Sequence, residues 1–81
     1  MEVLSESIEQ ALKRMSDNWP SEFIARGKIE DFTGGMITGK SVANLESKGE
    51  GPDGSIKCGG KAGYIKGPFI DWLRPRFSNK R

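Results

Sequence analysis

The sequence predicts a small α+β domain, mainly α, in which two short helices separated by a glycine turn precede a β-hairpin and a closing helix. Three observations carry this reading. Apolar residues recur at steps of three or four in four separate stretches, the spacing of one helical face. Glycines at Gly34-Gly35, Gly49 and Gly59-Gly60 fall where those stretches end or reverse. The chain has only 81 residues, enough for one modest core and little room for an additional substrate pocket.

Leu4, Ile8, Ala11, Leu12 and Met15 set one apolar stripe along an amphipathic helix from about Ser5 to Asp17. Ser7 followed three residues later by Gln10 fits a capping box, with Ser5 an alternative start. Asn18-Trp19-Pro20 ends this helix, because proline disfavours helical geometry in the residue before it. An isolated helix has to bury its stripe, against the core or in an oligomer seam. A shorter helix is expected from Ala25 to Phe32, with Ile29 and Phe32 facing inward. Thr33-Gly34-Gly35 stops it, since glycine accepts the left-handed conformation that follows a helix, and Met36-Ile37 supplies apolar contact in the turn.

Thr38 is a good N-cap for a second helix running to about Lys48, where Gly49 provides the stop. Val42 and Leu45 point one way along it, while Lys40, Ser41, Asn44 and Lys48 share the other face. These are donor-rich side chains, and asparagine can bond the edge of adenine with two hydrogen bonds; a solvated helix face has the same composition. Glu50 to Gly54 reads as a loop. Beyond it, Ser55–Cys58 and Lys61–Ile65 flank Gly59-Gly60, a pair suited to a two-residue hairpin turn with positive φ. Lys57, Lys61 and Lys66 line this ribbon, where lysines track phosphate or blunt a sheet edge. The last helix starts at Gly67-Pro68 and stops before Pro75. Phe69, Trp72 and Leu73 should anchor the core, with truncation of Trp72 the most damaging change. Arg74, Arg76, Lys80 and Arg81 form a basic tail.

The stretch GGMITGKS, Gly34 to Ser41, also fits the phosphate-loop pattern G-x-x-x-x-G-K-[ST]. That loop needs a buried strand before it and a parallel sheet around it, each strand–helix–strand unit taking roughly 30 residues or more. The preceding ARGKIEDFT is charged and not β-branched, so the launching strand is missing. A single cysteine, Cys58, cannot make an internal disulfide, and with no histidine there is no zinc set and no usual general base. The expectation is a protein without catalysis, metal or cofactor. No apolar run approaches 18 residues and Met1-Glu2-Val3 begins no signal segment, so a cytoplasmic protein with no membrane partner is expected.

Residues 1–35 carry four basic against seven acidic residues, and residues 36–81 carry nine basic against four acidic, so a total of +2 hides a basic carboxyl-terminal half. Such a half suits an anionic partner, and equally an ordinary solvated surface.

From about Pro20 to Arg76, roughly 57 of the 81 residues, the chain resembles the winged helix-turn-helix of the MerR superfamily, in its compact excisionase-like and AlpA-like prophage form. The matching stretches are IARGKIEDFTGGMITGKSVANLESKGEGP, IKCGGKAGYI and PFIDWL. The resemblance implies that residues 20–76 are the winged domain, with residues 1–19 an added helix and linker and 77–81 a basic tail. It implies double-stranded DNA as partner, bound as a transcriptional regulator or an excisionase-type architectural factor. Thr38, Lys40, Ser41, Asn44 and Lys48 would then meet the major groove, Arg26 and Lys28 the backbone, and Lys57 and Lys61 belong to the wing. Two features depart from the pattern: the wing carries lysine and glycine where many relatives are arginine-rich, and Glu30, Asp31 and Glu46 stand close to the implied interface. Affinity would then depend on homo-oligomerisation, cooperative binding or a partner. A reading of a different class is a protein-interaction adaptor that keeps the fold for packing.

Overall fold

Four helices and a three-stranded antiparallel sheet build the domain; the computed structural model describes residues 2–78, with side chains from Ile8 onward. The order is α1 (Glu2–Asn18), β1 (Phe23–Ala25), a 3-10 turn (Arg26–Lys28), α2 (Ile29–Phe32), α3 (Gly39–Ser47), β2 (Ser55–Cys58), β3 (Lys61–Ile65), α4 (Lys66–Leu73) and a second 3-10 turn (Arg74–Arg76). Both α2 and α3 end in the same way. The amide of Gly35 reaches back to Glu30 O at 2.8 Å and that of Glu50 to Leu45 O at 2.8 Å, each just after a glycine with positive φ, Gly34 at 66° and Gly49 at 77°. These six-to-one bonds satisfy carbonyls that a helix end leaves open.

The segment expected as one helix from Ala25 to Phe32 is divided among β1, a 3-10 turn and a single turn of α2. The sheet explains the division. Strand β3 lies in the middle, in the order β1-β3-β2, with Ile24 opposite Tyr64 and Cys58 opposite Lys61. Without β1, the second edge of β3 would expose unpaired backbone groups beside the core, which is costly. At the free edge of β1 the backbone of Phe23 is satisfied from the side, since Trp19 Nε1 donates to Phe23 O at 3.0 Å and Phe23 N donates to Ser21 Oγ at 3.0 Å. In the hairpin turn only Gly59 has positive φ, 60°, which matches a turn with glycine at the first central position alone.

The paired residues Ile24 and Tyr64 are fully buried on the helix-facing side of the sheet, and Ile29, Phe32, Val42, Phe69, Ile70 and Leu73 complete the core. Phe69 is its aromatic centre, with ring centroids 6.0 Å from Phe32, 5.5 Å from Tyr64 and 5.5 Å from Trp72. Trp72 is only half-buried: its indole N–H donates to Glu50 O at 2.9 Å and Arg76 stacks 4.3 Å over its ring. It pins the loop after α3, and Tyr64 and Phe69 are the deeper anchors. On the other face of the sheet, the pair Phe23 and Ile65 stays 56% and 36% exposed.

Helix α1 docks through Leu12, which is buried, and Met15, while Ala11 faces solvent instead of joining the stripe. Its start at Glu2 places Ser5 and Ser7 inside the helix, so neither opens it; their side chains and that of Leu4 lie outside the described residues. Lys66 does not line the ribbon: its Nζ donates to Ser16 O at 3.0 Å and Trp19 O at 3.2 Å, closing the carboxyl end of α1. Helix α4 begins at Lys66, so Pro68 stands third in it, and Pro75 sits within the following 3-10 turn. Phe77 packs on the core, so the docked chain extends past Arg76; Lys80 and Arg81 lie outside the described residues.

Candidate functional site

Thr33 fixes the turn between α2 and α3. It is buried, its hydroxyl donates to Ile29 O at 3.0 Å, and it accepts from Ile37 N at 3.2 Å. Ile37 packs inward while Met36 stands 69% exposed, so only one of the two apolar turn residues joins the core. Thr38 then caps α3, accepting from Ser41 N at 3.1 Å, and its hydroxyl also pairs with Ser41 Oγ at 3.1 Å. Gly39 is required by crowding, because a Cβ there would collide with the carbonyl of Arg26. The glycine, lysine and serine of the phosphate-loop pattern are thus the first turn of a helix packed against a 3-10 turn, with no strand leading into them.

Val42 of α3 is fully buried and Leu45 half-buried, which turns Lys40, Ser41, Asn44 and Lys48 outward as a common exposed face. Lys57 and Lys61 are exposed on the hairpin, and Lys28 is exposed on the turn before α2. An open cleft of about 360 Å³ lies between that turn and the hairpin tip, lined by Arg26, Gly27, Lys28, Gly60 and Lys61 with no acidic residue among its lining. Among the described residues, none of Lys28, Lys40, Lys48, Lys57 and Lys61 forms an ion pair.

Arg26 is placed differently from these lysines. Its Nη2 donates to Glu46 Oε1 at 2.8 Å and its Nε to Tyr64 OH at 3.2 Å, while Tyr64 OH donates to the same Glu46 Oε1 at 2.8 Å. Burial acts to raise the Glu46 carboxyl, but hydrogen bonds from Tyr64, Ser55 and Arg26 outweigh it and hold the group below its ordinary 4.5. Burial, with Glu46 beside it, pushes the Tyr64 phenol above 10.0 against the opposing effect of Arg26. Sequence reasoning names Arg26 as a backbone contact and Glu46 as an acid near the interface; their union with Tyr64 is missed. The available signal is Glu46 itself, an acid on a helix whose other charged residue is Lys40. Glu30 and Asp31 remain exposed on α2.

No family model, curated protein or solved structure matches this chain. Among the described residues no helix is long and apolar enough to cross a membrane. The exposed face of α3, the hairpin, and the cleft between the hairpin tip and the turn before α2 thus carry basic side chains, of which the five lysines form no ion pair among the described residues.

Proposed function

We propose that this chain binds double-stranded DNA through a winged helix-turn-helix, with the turn before α2 bracing the backbone, α3 entering the major groove and the β2–β3 hairpin acting as the wing. The observation that carries the reading is the set of lysines on α3, the hairpin and the turn before α2 that form no ion pair among the described residues. Nucleic-acid backbones are recognised by such free cations. The nine-residue α3 is about 13 Å long, and the major groove, roughly 12 Å wide, admits a helix. Asn44 is the base-reading side chain and Lys40, Lys48, Lys57 and Lys61 contact phosphate, with Lys28 beside the wing tip. The resemblance of Pro20–Arg76 to MerR-type prophage proteins supports a cytoplasmic transcriptional regulator or excisionase-type architectural factor, working as an oligomer or cooperatively.

A second reading, a protein-interaction adaptor, is favoured by one observation: the exposed apolar pair Phe23 and Ile65 on the outer sheet face. Titration of the purified chain with duplex DNA at several salt concentrations separates the two. The first reading expects log affinity to fall linearly with log salt as counterions are released. An adaptor shows no duplex binding at any salt.

A further inference from the structure

Helix α3 lies along a single residue of the preceding turn. At its amino end Gly39 abuts the backbone carbonyl of Arg26, and toward its carboxyl end Glu46 takes the guanidinium of the same arginine at 2.8 Å. The carboxylate oxygen that receives Arg26 also receives Tyr64 OH at 2.8 Å, and Arg26 Nε donates to that phenol oxygen at 3.2 Å, closing a three-membered ring of hydrogen bonds. The ring joins α3, the turn before α2 and the central strand β3, three elements far apart in the chain. It is half-buried: Tyr64 is fully buried and the loop leaving α3 passes close over Glu46, where a Cβ at Gly51 would collide with its side chain, while the Arg26 side chain stays 40% exposed. An acid on a helix that meets an anion is unfavourable by simple Coulomb repulsion, even from the inward face. Its presence needs a compensating role.

We infer that Glu46, acting through Arg26 and Tyr64, is a positioning residue of the interface, setting the angle between α3 and the β2–β3 hairpin so that both reach one duplex. The inference rests on the DNA-binding reading above. It also moves Arg26 from phosphate contact to internal clamp. A rigid pair of contact elements matters because small misplacements of a positioned group carry large losses.

Two variants test it: Glu46→Gln, which removes an acid from α3, and Tyr64→Phe, which leaves the net charge unchanged and keeps the buried ring. Residual dipolar couplings measure the angle between α3 and the hairpin, and titration at several salt concentrations measures duplex affinity. Positioning predicts that the angle shifts in both variants and that affinity falls about tenfold, the equivalent of one hydrogen bond to a charged group, with the salt slope unchanged. An acid with no positional role predicts the opposite sign for Glu46→Gln, a gain in affinity, and that result overturns the inference. So does an unchanged angle in both variants, whatever the affinity. Should Glu46→Gln fail to fold, Tyr64→Phe carries the same decision. If the wild-type chain binds no duplex, the DNA reading fails and this role with it; that failure appears in the wild type, whereas failure of the clamp appears only in the variants.

Discussion

On the α1–α4 side of the molecule, Lys13 pairs with Asp17, Arg74 with Glu9 and Asp71, and Lys66 donates to two backbone carbonyls. Across the core, on the α3–hairpin side, Lys28, Lys40, Lys48, Lys57 and Lys61 have no ion pair among the described residues, and the one engaged cation, Arg26, holds the frame together. Arg14 is the α1 cation without an ion pair among the described residues, so the division is a strong bias, not a rule. The difference separates two uses of charge. Exposed ion pairs contribute only about 0–1 kcal/mol, so pairing on the first side adds little to stability. On the proposed DNA-binding reading, the second side, whose lysines form no ion pair among the described residues, keeps its positive potential for an external anion.

The largest blow to both regions should come from Phe69→Ala, since Phe69 touches Phe32, Tyr64 and Trp72 and truncating a buried aromatic costs about 3–5 kcal/mol. Urea unfolding measures it, and Trp72→Ala, at a half-buried residue, should cost less; the reverse order would put the centre of the core elsewhere. Next, on the α3 side, Asn44→Ala should relax base preference by about 1–3 kcal/mol while leaving stability nearly unchanged. An unchanged motif in selection from random duplexes would remove Asn44 from base reading. On the α1 side, Lys66→Met should cost about 1 kcal/mol and speed amide exchange in the last turn of α1, with DNA affinity unaltered.

The smallest effect is the pH dependence of the clamp. Glu46 is held below its ordinary 4.5 in the folded chain, so its contribution to stability is present above that value and lost as pH falls through the folded pKa. Tyr64 is raised above 10.0, so its contribution is complete below 10.0 and lost as pH rises through the folded value. Urea midpoints across pH should therefore decline at both ends, and Tyr64→Phe should flatten the alkaline limb. An alkaline limb unchanged by Tyr64→Phe would contradict the assignment.

What the sequence made legible follows chemical locality. The α2–α3 turn, the Thr38 cap, the ends of α3 and the two-residue hairpin are written in residues within a few positions of one another, and they form where expected. Strand β1 is not legible, because three residues show no alternation and its existence depends on β3 some forty residues later, with Ile24 facing Tyr64. The burial of Trp72 is overestimated for a related reason: helical spacing marks a face but does not fix the exposure of its margin. The outward face of α3 is readable from spacing. The clamp is not, since Arg26, Glu46 and Tyr64 come from separate elements and only the fold brings them together.

The contrast between free and engaged cations is tested most directly by matched removal of charge. Lys40→Gln with Lys48→Gln takes two positive charges from the α3 side, and Lys13→Gln with Arg74→Gln takes two from the α1–α4 side. The slope of log duplex affinity against log salt should shrink by about 0.9 for each lost phosphate contact, roughly 1.8 in the first double variant, and stay at the wild-type value in the second. Equal slopes for the two double variants would contradict the account, because they would mean that the unpaired lysines of α3 meet DNA no more closely than the paired cations behind it.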